Sequence, residues 1–113
     1  MAGDYIFGKI EERFSATGAG TTTGVTVTKE APTDVEDSYI VGGIQCSGDL
    51  AAVVTIESPA STVIWQKRMT GTGWQISETF IPGAVKGAAG EAVLVKISAS
   101  TAACEANIQG FRI

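Results

Sequence analysis

Histidine is missing from all 113 residues. Its absence removes the commonest general base near neutral pH, the partner of any Ser-His or Cys-His nucleophile, and the commonest metal-binding side chain. Cysteine is confined to Cys46 and Cys104, far apart and outside any CxxC pattern, so neither a zinc site nor a redox motif is suggested. Two readings of that pair stay open: buried thiols in strands, or a disulfide formed once the protein leaves a reducing compartment. Charge is sparse, at 18% of residues with a formal net of -4. The eight Lys and Arg are scattered from Lys9 to Arg112, which argues against a nucleic-acid platform, because phosphate recognition needs clustered cations. No apolar run approaches the roughly 20 residues that span a bilayer, so no membrane role is expected. Nor does the N-terminal stretch carry the basic region and cleavage site of a secretory signal, and synthesis in a cytoplasm is expected.

What the chain does have is strand-like alternation. A hydrophobic fraction of 44% is enough for a real core, and the length suits one domain. Val25 and Val27 alternate with Thr26 and Thr28. Residues 38–47 read as a second strand with Ile40, Ile44 and Cys46 on one face, and Gly42-Gly43 inside it suggest a bulge. Residues 50–57 place Leu50, Ala52, Val54 and Ile56 on one side. Ser58-Pro-Ala-Ser61 then supplies a turn into residues 62–68, with Val63 and Trp65 facing one way. After Gly71-Thr-Gly73, residues 74–80 put Trp74, Ile76 and Phe80 on a shared face. These three strands, joined by short turns, read as an antiparallel meander. Two more runs follow, Glu91 onward and Cys104 to Ile113, so Ile113 is expected to sit within the sheet and leave the C-terminus no tether. Seven to eight short strands at this spacing predict an all-β, antiparallel β-sandwich of jelly-roll or immunoglobulin-like connectivity over residues 24–113.

Residues 1–23 read as an N-terminal arm and linker. Ile6, Phe7, Ile10 and Phe14 recur at spacings that permit two turns of amphipathic helix or an extended arm, and the Gly/Thr/Ala-rich residues 15–24 read as a flexible link to the sandwich.

Chemistry is thin. With histidine gone, paired carboxylates are the remaining acid/base option, and Glu11-Glu12, Asp34, Glu36-Asp37 and Asp49 fall in turns or in the arm, where solvated roles are expected. The cluster Asp34-Val-Glu-Asp37 could offer oxygens to calcium, but it lacks EF-hand spacing and a second cluster, and reads as an acidic turn. No cofactor, metal or enzymatic activity is expected. Trp65 and Trp74 are the candidate ligand or interface aromatics, to be weighed against core positions in alternating strands. Small side chains such as Ala51, Thr55, Ala99 and Ala103 at outward positions suit close packing against further copies or a lattice.

The run Val54-Thr-Ile-Glu-Ser-Pro-Ala-Ser-Thr-Val-Ile-Trp65, residues 74–80, Pro82-Gly83, and Ala92 through Asn107-Ile-Gln-Gly-Phe-Arg-Ile113 resemble small β-sandwich virion proteins of tailed bacteriophages, among them capsid decoration (cement) proteins. The resemblance implies a non-catalytic structural protein on the capsid surface of the virion, bound to the major capsid protein as a homotrimer and strengthening the shell. It also implies an N-terminal arm for anchoring, and Tyr5, Ile6, Phe7, Ile10 and Phe14 are the apolar residues that would serve there. The alternative is a carbohydrate- or receptor-binding module of a phage head or tail accessory protein, built on Trp65 or Trp74.

Overall fold

A computed structural model describes residues 13–20, 24–98 and 103–113. Among them are eight strands: β1 (Arg13–Gly20), β2 (Val25–Lys29), β3 (Tyr39–Gly48), β4 (Ala52–Glu57), β5 (Val63–Met69), β6 (Trp74–Thr79), β7 (Val93–Ile97) and β8 (Cys104–Arg112). They form two four-stranded antiparallel sheets, in the order β1-β8-β3-β6 and β2-β7-β4-β5.

A simple rule generates that order. The pairs β1–β8, β2–β7, β3–β6 and β4–β5 are those of one long hairpin with its tip at the turn after β4. Rolling the hairpin drops alternate pairs into opposite sheets, which is the jelly-roll connectivity, and the immunoglobulin-like alternative is set aside. The expected meander therefore holds only for β4 and β5. The short link after β5 carries the chain across to the other sheet, where β6 pairs with β3.

Alternation decides what is buried. Val41, Ile44, Val54, Ile56, Val93, Val95, Ile97 and Ile108 are fully enclosed between the sheets, and each contributes about 1.5–3 kcal/mol by leaving water. The glycines at 42 and 43 do mark a bulge: the β3–β8 register slips between Val41 and Gly43. Upstream of the slip Tyr39 and Val41 take the inward places, so Ile40 stands on the opposite side from Ile44 and Cys46, contrary to the expected face. A second slip between Ile56 and Glu57 sets Val63 opposite Glu57 and leaves it 48% exposed. Leu50, expected to share a side with Ala52, Val54 and Ile56, precedes β4 and is also exposed.

The largest departure is β1. Residues 15–20, expected as a flexible linker, are a strand hydrogen-bonded along β8 from Arg13↔Phe111 to Gly20↔Cys104. A glycine- and alanine-rich sequence has weak strand preference of its own, and the ladder offered by β8 supplies what the local sequence lacks. The sandwich thus begins by residue 13 and not at residue 24.

The two ends of the sandwich close differently. At the upper end, where β1 finishes and β8 begins, Trp74 lies flat against Gly48 and donates its indole N–H to the Leu50 carbonyl at 2.6 Å. A Cβ on Gly48 would come within 2.5 Å of the indole, so only glycine admits the ring there. The lower end, where β1 begins, is closed by polar groups. The Ser58 hydroxyl donates to the Ala92 carbonyl at 2.7 Å and accepts from the Ala88 amide at 3.0 Å. The buried Glu57 carboxylate accepts from the Ser61 amide at 2.6 Å and the Thr55 hydroxyl at 3.2 Å. Tyr39 reaches across to donate to the Glu30 carbonyl at 2.6 Å.

Candidate functional site

Of the expected anchoring residues, Tyr5, Ile6, Phe7 and Ile10 lie outside the described residues. Phe14 is inside them and belongs to the core, contrary to the exposed position expected of an anchor. It points between the sheets, is 8% exposed, and meets Tyr39 edge-on with ring centroids 5.1 Å apart. The parity of β1 explains this, because pairing with β8 turns Phe14, Ala16 and Gly18 inward.

Neither tryptophan is a free platform. Trp74 is buried in the core. Trp65 is half-buried on the inner side of edge strand β5, packed edge-on against Phe80 at 5.5 Å. Beside that pair Lys67 and Glu78 form a 3.0 Å ion pair that joins the free edges of the two sheets. Among the expected acids, Asp34 accepts the Glu36 amide at 2.9 Å and so shapes its own turn, while Asp37 pairs with Arg112 at 3.3 Å. No group of three or more metal-binding side chains occurs among the described residues. Cys46 and Cys104 are both free thiols. The register sets Cys46 opposite Ala106 and Cys104 opposite Gly48, so the two are diagonal neighbours on the inner face. Such neighbours lie farther apart than the roughly 4 Å Cβ separation of a disulfide. Burial pushes the Cys46 thiol up to about 11.

Two surfaces stand out once these are placed. The first is the outer face of the β1-β8-β3-β6 sheet. Register aligns its outward side chains in rows across the strands: Thr17, Asn107, Gln45 and Ser77 form the middle row. Ala19, Glu105, Ser47 and Gln75 lie on one side of it, and Ser15, Gln109, Gly43 and Thr79 on the other. A hollow of about 590 Å³ runs over this lattice. Asn107 is held rigidly, its amide group donating to Thr17 Oγ1 at 2.8 Å, Ser15 Oγ at 3.1 Å and the Ala16 carbonyl at 3.2 Å. Attention to apolar and aromatic residues misses this surface. Its signal is the polar half of the alternation, with amides and hydroxyls at 45 and 47, 75 and 77, and 107 and 109.

The second surface is the lower end. Among the described residues five large apolar side chains are exposed, and four of them, Val35, Val63, Ile81 and Ile113, belong to the loops and strand ends at this end, with Leu50 at the other. Arg13, to which residues 1–12 connect, lies here as well, opposite Phe111.

The strand order defines an eight-stranded jelly-roll β-sandwich. No protein-family model matches the chain, and no curated protein matches it. Among solved structures, a CBM4 carbohydrate-binding module aligns over 91% of this chain and 94% of its own, at 11% identity and a TM-score of 0.38. A structure of infectious bursal disease virus, Gt strain, aligns over 85% of this chain and 31% of its own, at 12% identity and a TM-score of 0.34. Likeness at that level is too distant to bring a function with it.

Proposed function

We propose that this chain is a non-catalytic structural protein of a tailed-phage virion. In this reading it decorates the outer surface of the capsid as an oligomer, a trimer by expectation, and stabilises the shell through the major capsid protein, with no cofactor, nucleic acid or membrane involved. The observation that supports it is the gathering of Val35, Val63, Ile81 and Ile113 at the end where the segment carrying Tyr5, Ile6, Phe7 and Ile10 joins the sandwich. Isolated exposed apolar residues are ordinary, but four at the one end to which an apolar segment connects suit a surface that is covered in use. Many copies on a repeating lattice would turn modest contacts into firm attachment.

Binding of purified protein to undecorated shells tests the reading. Deleting residues 1–12 and replacing Val35 and Ile81 by serine should each lower occupancy, and the combination should abolish it. Undiminished binding by the combined variant would rule the reading out.

A further inference from the structure

We propose that the outer face of the β1-β8-β3-β6 sheet is a binding site for an uncharged glycan chain. This goes beyond the capsid reading and does not depend on it, since it concerns a different surface from the apolar lower end.

The chemistry of the face selects the ligand. Its three rows carry amides at Gln45, Gln75, Asn107 and Gln109 and hydroxyls at Ser15, Thr17, Ser47, Ser77 and Thr79, with Glu105 the one charged side chain. Each Gln amide offers two donors and an acceptor, Asn107 keeps its carbonyl oxygen as an acceptor because its N–H groups are spent on β1, and each hydroxyl can donate, the mixture that a sugar's hydroxyl groups require. The side chains of Gln45, Gln75, Ser47 and Ser77 make no hydrogen bond to other described residues. A polyanion would meet Glu105 and no cation within the rows. A protein partner would need a buried aromatic or arginine anchor at the centre, where this face has Asn107 and Gln45 instead.

Geometry favours a chain over a compact molecule. The central hollow shares Ser15 and Gln109 with a second of about 520 Å³ that reaches Phe111. It shares Ser47, Gln75 and Glu105 with a third of about 490 Å³ toward Trp74, so the three join end to end along the strands. Along that path outward side chains recur about every 6.8 Å, two residues of a strand, and across it about every 4.8 Å, so polar groups line the path in both directions. Half-buried Phe111 stands in the next row beside Arg13 and gives one end of the path an aromatic ring. Bonding to β1 fixes Asn107 at the centre before any ligand arrives, so little side-chain freedom is lost there on binding.

The test uses the full chain on an array of neutral glycans, and in native gels cast with hydroxyethylcellulose, xylan, galactomannan or dextran, with heparin as a charged comparison. At least one neutral glycan should retain the protein. Retention should weaken tenfold or more in the triple variant Gln45→Ala, Gln75→Ala, Gln109→Ala, and likewise in Ser77→Trp, which places bulk in the middle row. Gln66→Ala, an amide on the other sheet, should bind as the parent does, and thermal melting checks that every variant is folded. The proposal is overturned if no neutral glycan is retained, if heparin alone is, or if the folded triple variant and Ser77→Trp both bind like the parent. Shell binding should be unchanged in the triple variant, so failure here and failure of the capsid reading give different results.

Discussion

The two ends of the sandwich do the same job with opposite materials. The upper end is closed by one large ring, Trp74, seated on Gly48 and pinned by a single hydrogen bond to the Leu50 carbonyl. The lower end is closed by hydrogen bonds, and all three buried polar residues of the described chain, Ser38, Glu57 and Ser58, are found there. Phe14 and Tyr39 pack inward behind those bonds, while Val35, Val63, Ile81 and Ile113 are turned outward. An end sealed by packing has no large surface left to offer, whereas an end sealed by internal polar contacts can leave Val35 and Ile81 in solvent without opening the core. That difference is the ground for proposing attachment at the lower end.

The contrast can be broken most severely at the upper end. Trp74→Ala should remove about 3–5 kcal/mol of stability, the usual range for deleting a buried large aromatic. Denaturant melts would measure the loss, and hydrogen exchange should rise first in β3 and β6 near Gly48. A loss below 1 kcal/mol would mean that the ring is not the seal. At the lower end, Glu57→Leu leaves the Ser61 amide and Thr55 hydroxyl without their acceptor and should cost about 1–3 kcal/mol. Exchange should then quicken around residues 57–62, with Trp74 fluorescence unchanged.

A third effect depends on pH. The Cys46 thiol is raised from 9.0 to about 11, chiefly by burial, with the backbone at Asn107 opposing and Cys104 adding to the shift. Between those values the unfolded chain gives up the thiol proton while the folded chain keeps it. The unfolded state therefore binds fewer protons, and stability falls as pH rises through this window. Tyr39, raised above 10.0 chiefly by burial, adds a loss of the same sign that begins as the pH passes 10.0. Cys46→Ala should flatten the decline between pH 9 and 11, and an unchanged slope would remove Cys46 as its source. The smallest effect belongs to neither end. Lys67→Met breaks the solvent-exposed pair with Glu78 and should shift stability by about 0–1 kcal/mol, measurable as a slight change in melting temperature that salt screens out.

Strand identity was largely readable from alternation. Val25 and Val27 and the final two strands fall where their period-two patterns place them, and the 50–57 run is a strand from Ala52 onward. Pairing was less readable. Ser58-Pro59 and Gly71-Thr-Gly73 are both short turn sequences, yet the first joins neighbours in one sheet and the second joins different sheets. Local sequence fixes a turn's length and not the distant strand waiting on its far side. The same limit hid β1, whose strand character is lent by β8, and so misplaced Phe14. Trp65 and Trp74 attracted notice by size, whereas the lattice of Gln45, Asn107 and Gln75 becomes visible only when register brings residues distant in sequence into rows.

The rolled hairpin also implies an order of assembly. The β4–β5 pair closes over a handful of residues, and each pair outward, β3–β6, β2–β7 and then β1–β8, encloses the one before it. Once an inner pair has formed, the next pair has only a short remaining loop on each arm to close. Because closure entropy grows with the logarithm of loop length, zipping from the tip is far easier than bringing Arg13 to Phe111 across an unstructured chain. On this path β1 is the last strand to be captured and the first to be released, so among the described strands the seam between β1 and β8 is the one this order of assembly opens first.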